Sequence, residues 1–497
     1  MQLTTAQTTV PLRALSDKKT LPIFIAMIAL ADVLMFQQAP GLNLFLFSLS
    51  LTSAVLMAAR KRLGTVKTAT CLGVTALAAA PLLEAPSIIG AGFAVAAVIS
   101  SALACANLLP KKPVDIPLTL LRFIPLVPLR LPSFCRRYLA SQSGQTFLGV
   151  TQTSLAGWLL PLGLGLVFLL LFTMANPLIA LGLHNIDLSF LIDLFDITRI
   201  GFWLLAAVGI SALLRPRLMR KVRHHTTEPA DISRQSARFL DHAALLRCLW
   251  VFNLLFAIQT ALDVLYLWGG AELPAGMSHA QYAHRGAYPL VATALLAAAF
   301  VLVAMRRGGP GDSSRLIRML VIAWILQNVM LCLSAILRLD LYVQTYSLTG
   351  LRMAAGIWMG LVATGLVFIL LRIKLRRSNE WLISMNLATL LTVLYLSAFF
   401  DFSDFIARFN VEHSAQVSEQ DPPIDLAYLH SLGPSAIPAI DTYLAAVPKG
   451  EWKHEIAKRV RDRLAASFAM RSSDWRSWNY RDYRIKNYIS STALIGP

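Results

Sequence analysis

Charge is scarce in this chain, and acidic charge is scarcest. Of 497 residues only 14% are Asp, Glu, Lys or Arg, and 27 acids stand against 45 bases. A soluble domain carries about 25% charged residues, so the composition excludes an ordinary soluble protein. There are five cysteines: Cys71, Cys105, Cys135, Cys248 and Cys332. None is spaced Cys-x-x-Cys and four sit in apolar runs, so neither a disulfide framework nor a metal site follows. His-Glu-x-x-His, Gly-x-Ser-x-Gly and a phosphate-binding glycine loop are all missing. Gly308-Gly309-Pro310-Gly311 reads as a turn. These absences lean away from an enzyme and give no cofactor to expect.

What is present is hydrocarbon. The chain is 56% hydrophobic, and its apolar residues fall in blocks near the roughly 20 residues that cross a bilayer. Eleven runs can be read: 21–36, 42–59, 68–83, 87–109, 152–174, 190–214, 243–268, 286–305, 316–337, 353–371 and 381–400. The expected fold is therefore an all-α membrane protein. It is a polytopic bundle of about eleven transmembrane helices with a small helical C-terminal extramembrane domain. Four regions follow: a cytoplasmic 1–20, an N-terminal membrane region 21–240, a C-terminal membrane region 241–400 and a tail 401–497.

The formal charge is +18, but no nucleic-acid motif accompanies it, so that partner is not expected. The Lys and Arg instead gather in alternate loops. With the amino terminus in the cytoplasm, the cytoplasmic segments hold 28 of them and the five short opposite loops about four. That is the bias of cytoplasmic-membrane proteins. It places the N-terminus inside and the tail outside, in the periplasm of a Gram-negative host. The stretch 111–144 mixes basic residues with prolines at 110, 113, 117, 125, 128 and 132. It reads either as a segment lying on headgroups or as an ordinary basic loop.

Polar residues cluster on the outer side of this map. Asp263, His279, Tyr282, His284, Arg285, Arg338, Asp340, Tyr342, Tyr346 and Arg352 are candidates for one ligand site. Arginines and phenols there could hold an anionic group, or the same residues could form a collar that seals helix ends. Asp263 and Asp32 are acids inside apolar runs, where a charge is costly and usually faces the bundle interior. Asp263 could relay a proton or pair with Arg338 or Arg285. His279 and His284 are the only candidates for a lipid-modifying chemistry. Gly163, Gly165, Gly356, Gly360 and Gly365 read as close helix packing.

In the tail, Leu426, Leu429, Leu432, Ile437 and Leu444 form a core stripe around Gly433-Pro434, and 450–470 reads as an amphipathic helix. The end interleaves Trp475, Arg476, Trp478, Tyr480 and Arg481. Those residues are candidates for lipid headgroups or another envelope protein, through cation–π pairs. A loop packed back on the helices is the other reading.

Tyr282-Ala283-x-Arg285-Gly286 and Arg338-x-x-Leu341-Tyr342-Val343-x-x-Tyr346-x-Leu348-Thr349-x-Leu351-Arg352 resemble a bacterial membrane family that carries a domain of unknown function, number 4173. His284 stands where that family commonly has a second arginine. The resemblance covers about Leu246 to Leu444. It implies a polytopic inner-membrane protein and no particular activity. Two functions are expected from these residues: a non-enzymatic envelope binding or signalling protein, or a secondary transporter of a small or anionic solute.

Overall fold

A computed structural model describes residues 17–59, 64–134, 197–216, 242–269, 296, 300, 314–415, 423–471 and 474–495. Among them every regular element is a helix. The chain forms two compact units, one of residues 1–219 with 474–479, the other of 220–473 with 480–497.

The first unit is built from α1 (Asp17–Met35), α2 (Leu42–Ala58), α3 (Thr65–Ala79), a short α4 (Pro81–Glu84), α5 (Ile88–Cys105), α6 (Ile116–Phe123) and α7 (Ile197–Leu214). Met27, Leu51, Ala54, Val55, Ala58, Val98, Ala102, Ile210 and Leu214 make its main core. Small residues let these backbones come close, and the Thr52 and Thr75 hydroxyls meet at 3.1 Å between α2 and α3. Prolines break the basic stretch into α6 and two short 3-10 turns. Phe123 is buried with Ile99, Leu103 and Ala212, while Leu118, Leu121, Ile124 and Leu129 stay exposed.

The second unit holds α8 (His242–Asp263), α9 (Arg315–Tyr346), α10 (Gly350–Lys374) and α11 (Asn379–Ser397). Leu245, Leu249, Ile317, Val321, Trp324, Ile325, Leu366, Ile369 and Leu382 are its core. Phe252, Phe256 and Phe300 pack their rings on Trp324. Helix starts carry the caps their sequence offers: Ser314 accepts from Ile317 N, Thr349 from Arg352 N and Ser378 from Trp381 N. Asn253 Nδ2 donates to Leu320 O, and Gln327 Nε2 donates to Asn253 O. Ten residues beyond Asn253 on α8 and eleven beyond Gln327 on α9, Asp263 meets Arg338. Contacts that advance together mean that α8 and α9 run parallel.

Among the described residues five helices are long and apolar enough to cross a membrane: Ile88–Cys105, His242–Tyr266, Arg315–Tyr346, Gly350–Lys374 and Asn379–Ser397. Four more apolar helices among those residues are shorter, at Thr20–Met35, Leu42–Ala58, Thr65–Ala79 and Thr198–Leu214. Most of α8's outward side is apolar, with Trp250, Val251, Leu254, Leu255, Ile258 and Leu262 exposed. Exposed apolar surface on that scale marks a membrane-associated protein. The expected runs 152–174 and 286–305 lie outside the described residues, apart from 296 and 300.

Two expectations need correction. Arg338 to Tyr342 reads in sequence as a polar knot after the ninth run, but α9 continues through it to Tyr346. Neither Gly nor Pro interrupts that stretch, and the break comes at Ser347, whose φ of 65° is left-handed. In the glycine pattern on α10, an added Cβ at Gly356 would lie 3.4 Å from Leu339 and one at Gly365 would lie 2.9 Å from Asn386 Oδ1, but Gly360 faces open space. The close approach therefore belongs to Gly365, and Gly356 makes an ordinary contact.

The tail of the second unit is α12 (Phe402–Glu412), α13 (Leu426–Ser431), α14 (Ile437–Ala446), α15 (Trp452–Ala469) and α16 (Tyr480–Ile495). Leu429, Ile437, Ile440, Tyr443, Ala457 and Leu464 are buried together, with Leu426, Leu432 and Leu444 at the edge. Gly433 sits at φ 80°, which only glycine adopts without strain.

Candidate functional site

Asp263 closes α8, and the chain then widens into a π-turn at Val264–Trp268. Such turns frequently occur at functional sites. The Asp263 carboxylate is fully buried and Arg338 is 3% exposed. An Arg338 guanidinium N–H donates to Asp263 Oδ1, and Gln259 Nε2 donates to the same oxygen at 3.0 Å. One turn away Trp268 Nε1 donates to Ser334 Oγ at 3.2 Å. Gln259 and Asp263 are four residues apart, so they share a helix face. The result is an ion pair sealed between two parallel helices. A charge there must be compensated, because the surroundings offer no water to solvate it.

The other collar candidates among the described residues make contacts of their own. Arg352 turns back over the end of α9. Its guanidinium donates to Tyr346 O at 2.6 Å and to Ser347 O, and lies 4.4 Å from the Tyr342 ring centroid. Tyr342 and Tyr346 pack at 4.8 Å. That arrangement satisfies carbonyls which a helix end leaves without partners. Asp340 is exposed and accepts from Gln344 Nε2 at 2.9 Å. His279, Tyr282, His284 and Arg285 lie outside the described residues. Among the described residues no group of three His, Cys, Asp or Glu could hold a metal.

The other acid in an apolar run is paired in the same way. Asp32, near the end of α1, accepts from Arg199 Nε and from Trp203 Nε1, each at 2.9 Å. Arg199 and Trp203 lie one turn apart at the start of α7. The sequence displayed Arg199 at the run's border but gave no sign that Trp203 would complete the set.

The tail is pinned to the membrane helices by residues that sequence reasoning missed. Asn410 Nδ2 donates to Leu348 O at 2.9 Å, and its Oδ1 accepts from Leu348 N at 2.7 Å. Tyr428 OH accepts from Gly350 N at 2.8 Å. Val343, Leu348 and Ile406 are buried together beneath. Inside the tail, Asp441 takes Arg461 Nε at 3.1 Å and Tyr488 OH at 3.2 Å. Burial, and then the nearby Asp441, push the Tyr488 phenol above its ordinary range.

The C-terminal candidates are engaged within the chain. Arg476 is bonded to Asp474 at 2.5 Å and donates to Val33 O at 2.6 Å. Trp478 O accepts from Leu42 N at 2.8 Å. Arg481 reaches Phe400 O at 3.3 Å and Asp401 at 3.2 Å. The Trp475, Trp478 and Tyr480 rings stay largely exposed.

The model of one protein family, Domain of unknown function (DUF4153), matches residues 68–443. The chain belongs to that family. This corrects the number expected from the motifs. Those motifs lie between Leu246 and Leu444, whereas the DUF4153 match reaches back through the N-terminal helices from α3 onward. No curated protein and no solved structure matches the chain.

Proposed function

We propose that this DUF4153 protein is an envelope binding or signalling protein of the bacterial inner membrane, with eleven spans, its N-terminus in the cytoplasm and its tail outside. The observation that carries the reading is the grip of Asn410 and Tyr428 on the α9–α10 turn. A partner that moves the tail would act directly on α9, the helix that bears Arg338. Trp452 and Met470 stand out from the tail surface, ready for such a partner.

The span count has support from contacts at helix ends. Asp32 at the end of α1 meets Arg199 at the start of α7. Among the described residues three apolar helices lie between, which fits one further change of face between α5 and α7, as a span at 152–174 would give. Parallel α8 and α9 fit the same between them, as a span at 286–305 would give. Residues 474–479 follow the last span and lie at the α1–α2 turn within their own unit. That supports an odd total. Arg372, Lys374, Arg376 and Arg377 at the end of α10 stay on the cytoplasmic side under this count.

The test is photocrosslinking in whole cells from positions 452 and 470. A discrete envelope adduct supports the reading. Absence of an adduct at both positions, with the protein present and inserted, refutes it. A second reading, a secondary transporter of a small or anionic solute, is favoured by the buried Asp263–Arg338 pair. Asp263→Asn would then abolish uptake driven by a proton gradient in proteoliposomes, and unchanged uptake would remove it.

A further inference from the structure

We propose that the C-terminal strap of residues 474–479 is a lipid anchor, with the Trp475 and Trp478 indoles resting in the headgroup layer of the bilayer. This rests on the membrane-spanning reading and is independent of whether the tail binds a protein. The strap comes after the soluble tail helices, yet within its unit it lies against the end of an apolar helix. Arg476 donates to Val33 O. Val33 is 58% exposed and stands two residues before the end of α1, about 3 Å along the axis. Leu42 N, the first of α2, donates to Trp478 O. A Cβ on Gly41 would lie 2.5 Å from the Ser477 carbonyl carbon and 2.8 Å from Trp478 O, so backbone touches backbone there. The strap is therefore held at the depth where α1 ends and α2 begins.

The same level of the unit gathers the groups that favour a membrane–water boundary. Asp32, Arg199 and Trp203 form their cluster one turn from Met35, and the Arg199 guanidinium lies 5.3 Å from the Phe36 ring centroid. In the second unit the residues just beyond the strap also touch a span end, through Arg481 with Phe400 O and Asp401. The strap and the residues just after it are thus each tied, within their own units, to places where apolar helices stop.

At that depth Trp475 is 58% exposed and Trp478 is 42% exposed. Indoles combine an apolar body with one N–H donor, and they concentrate at the level of lipid headgroups. The charge pattern identifies what kind of lipid contact this is. Asp474 already neutralises Arg476, with three contacts of 2.5 to 3.0 Å. The strap therefore offers no unbalanced cation for anionic headgroups. The recognition is by aromatic partitioning and does not depend on headgroup charge.

The test uses the full chain in nanodiscs of zwitterionic lipid, with native cysteines replaced and a nitroxide placed by Trp475→Cys or Trp478→Cys. A nitroxide at Met470→Cys serves as the aqueous reference, since Met470 is highly exposed in the tail. The expected result is loss of collisions with an aqueous nickel complex and gain of collisions with dissolved oxygen at 475 and 478, relative to 470. The same values should return in high salt and with anionic lipid added. Nickel access at 475 and 478 equal to that at 470 would overturn the anchor, as would shielding from both nickel and oxygen, which would mean protein covers the strap. Depth that appears only with anionic lipid would overturn the charge-independent mechanism.

Discussion

Replacing Asp263 alone should be far more damaging than replacing Asp263 and Arg338 together. The pair lies between parallel helices, with the acid fully buried and the base nearly so. Asp263→Leu removes the carboxylate that this guanidinium meets, and Arg338→Met removes the guanidinium from a carboxylate that Gln259 also contacts. Removing one partner of a buried pair costs about 3–5 kcal/mol, whereas an apolar pair of similar volume is often neutral. Bilayer proteins also show smaller polar couplings than this, about 0.6 kcal/mol on average for hydrogen bonds, but those pairs are uncharged. A coupling at the upper end of the range for contacting residues, about 2–3 kcal/mol, is therefore expected. The assay is reversible unfolding of the wild type, both single variants and Asp263→Leu/Arg338→Met in mixed micelles. Costs that add to within about 0.5 kcal/mol would refute the reasoning, because distant or solvated residues behave that way.

Asn410→Ala should loosen the tail without altering insertion. It strips Leu348 of partners for both N–H and C=O, at about 1–3 kcal/mol for each buried group left unpaired, and faster proteolysis of the 402–495 region would report it. Gly41→Val should release the strap, since the added carbons would strike Ser477 and Trp478 backbone; unchanged oxygen and nickel accessibilities at 475 would contradict that. Strap docking should also depend on pH with a definite sign. Hydrogen bonds from the Arg476 side chain and then its backbone N–H hold the Asp474 carboxyl below the usual carboxylate range. That contribution is present above an unfolded value of about 3.9 and is lost as pH falls through the lowered one. Docking read by the same probes should therefore persist at pH 5 and weaken only in stronger acid. Release between pH 5 and 7 would point to another group.

Much of the scaffold could be read in advance because a bilayer restricts what a chain can do. Backbone in hydrocarbon must bond to itself, so apolar runs of the right length become helices, and α2, α3, α5, α8, α10 and α11 start and end close to where their runs do. The tail stripe from Leu426 to Leu444 was visible because its spacing carries a helical period, and it lies in the tail core. The end of α9 was not visible. Hydropathy falls at Arg338, but a buried partner lets the helix pass through a charge, and Asp263 is 75 residues away in sequence. Arg338 and Asp263 could be named as a candidate pair on chemistry alone. That Arg352 would turn back onto the end of α9 depends on the kink at Ser347. Asn410 and Tyr428 were missed because an asparagine or tyrosine in a polar tail carries no mark of the backbone it will bridge.

The account's central claim is that the tail and the amino terminus lie on opposite faces of the membrane, with the α10–α11 turn on the amino-terminal side. The direct measurement is labelling of single cysteines, His430→Cys and Arg377→Cys, with an impermeant reagent in a background lacking the native cysteines. The account predicts that position 430 reacts in whole cells and position 377 only in inverted vesicles. Position 430 protected in whole cells but reactive in inverted vesicles would contradict it.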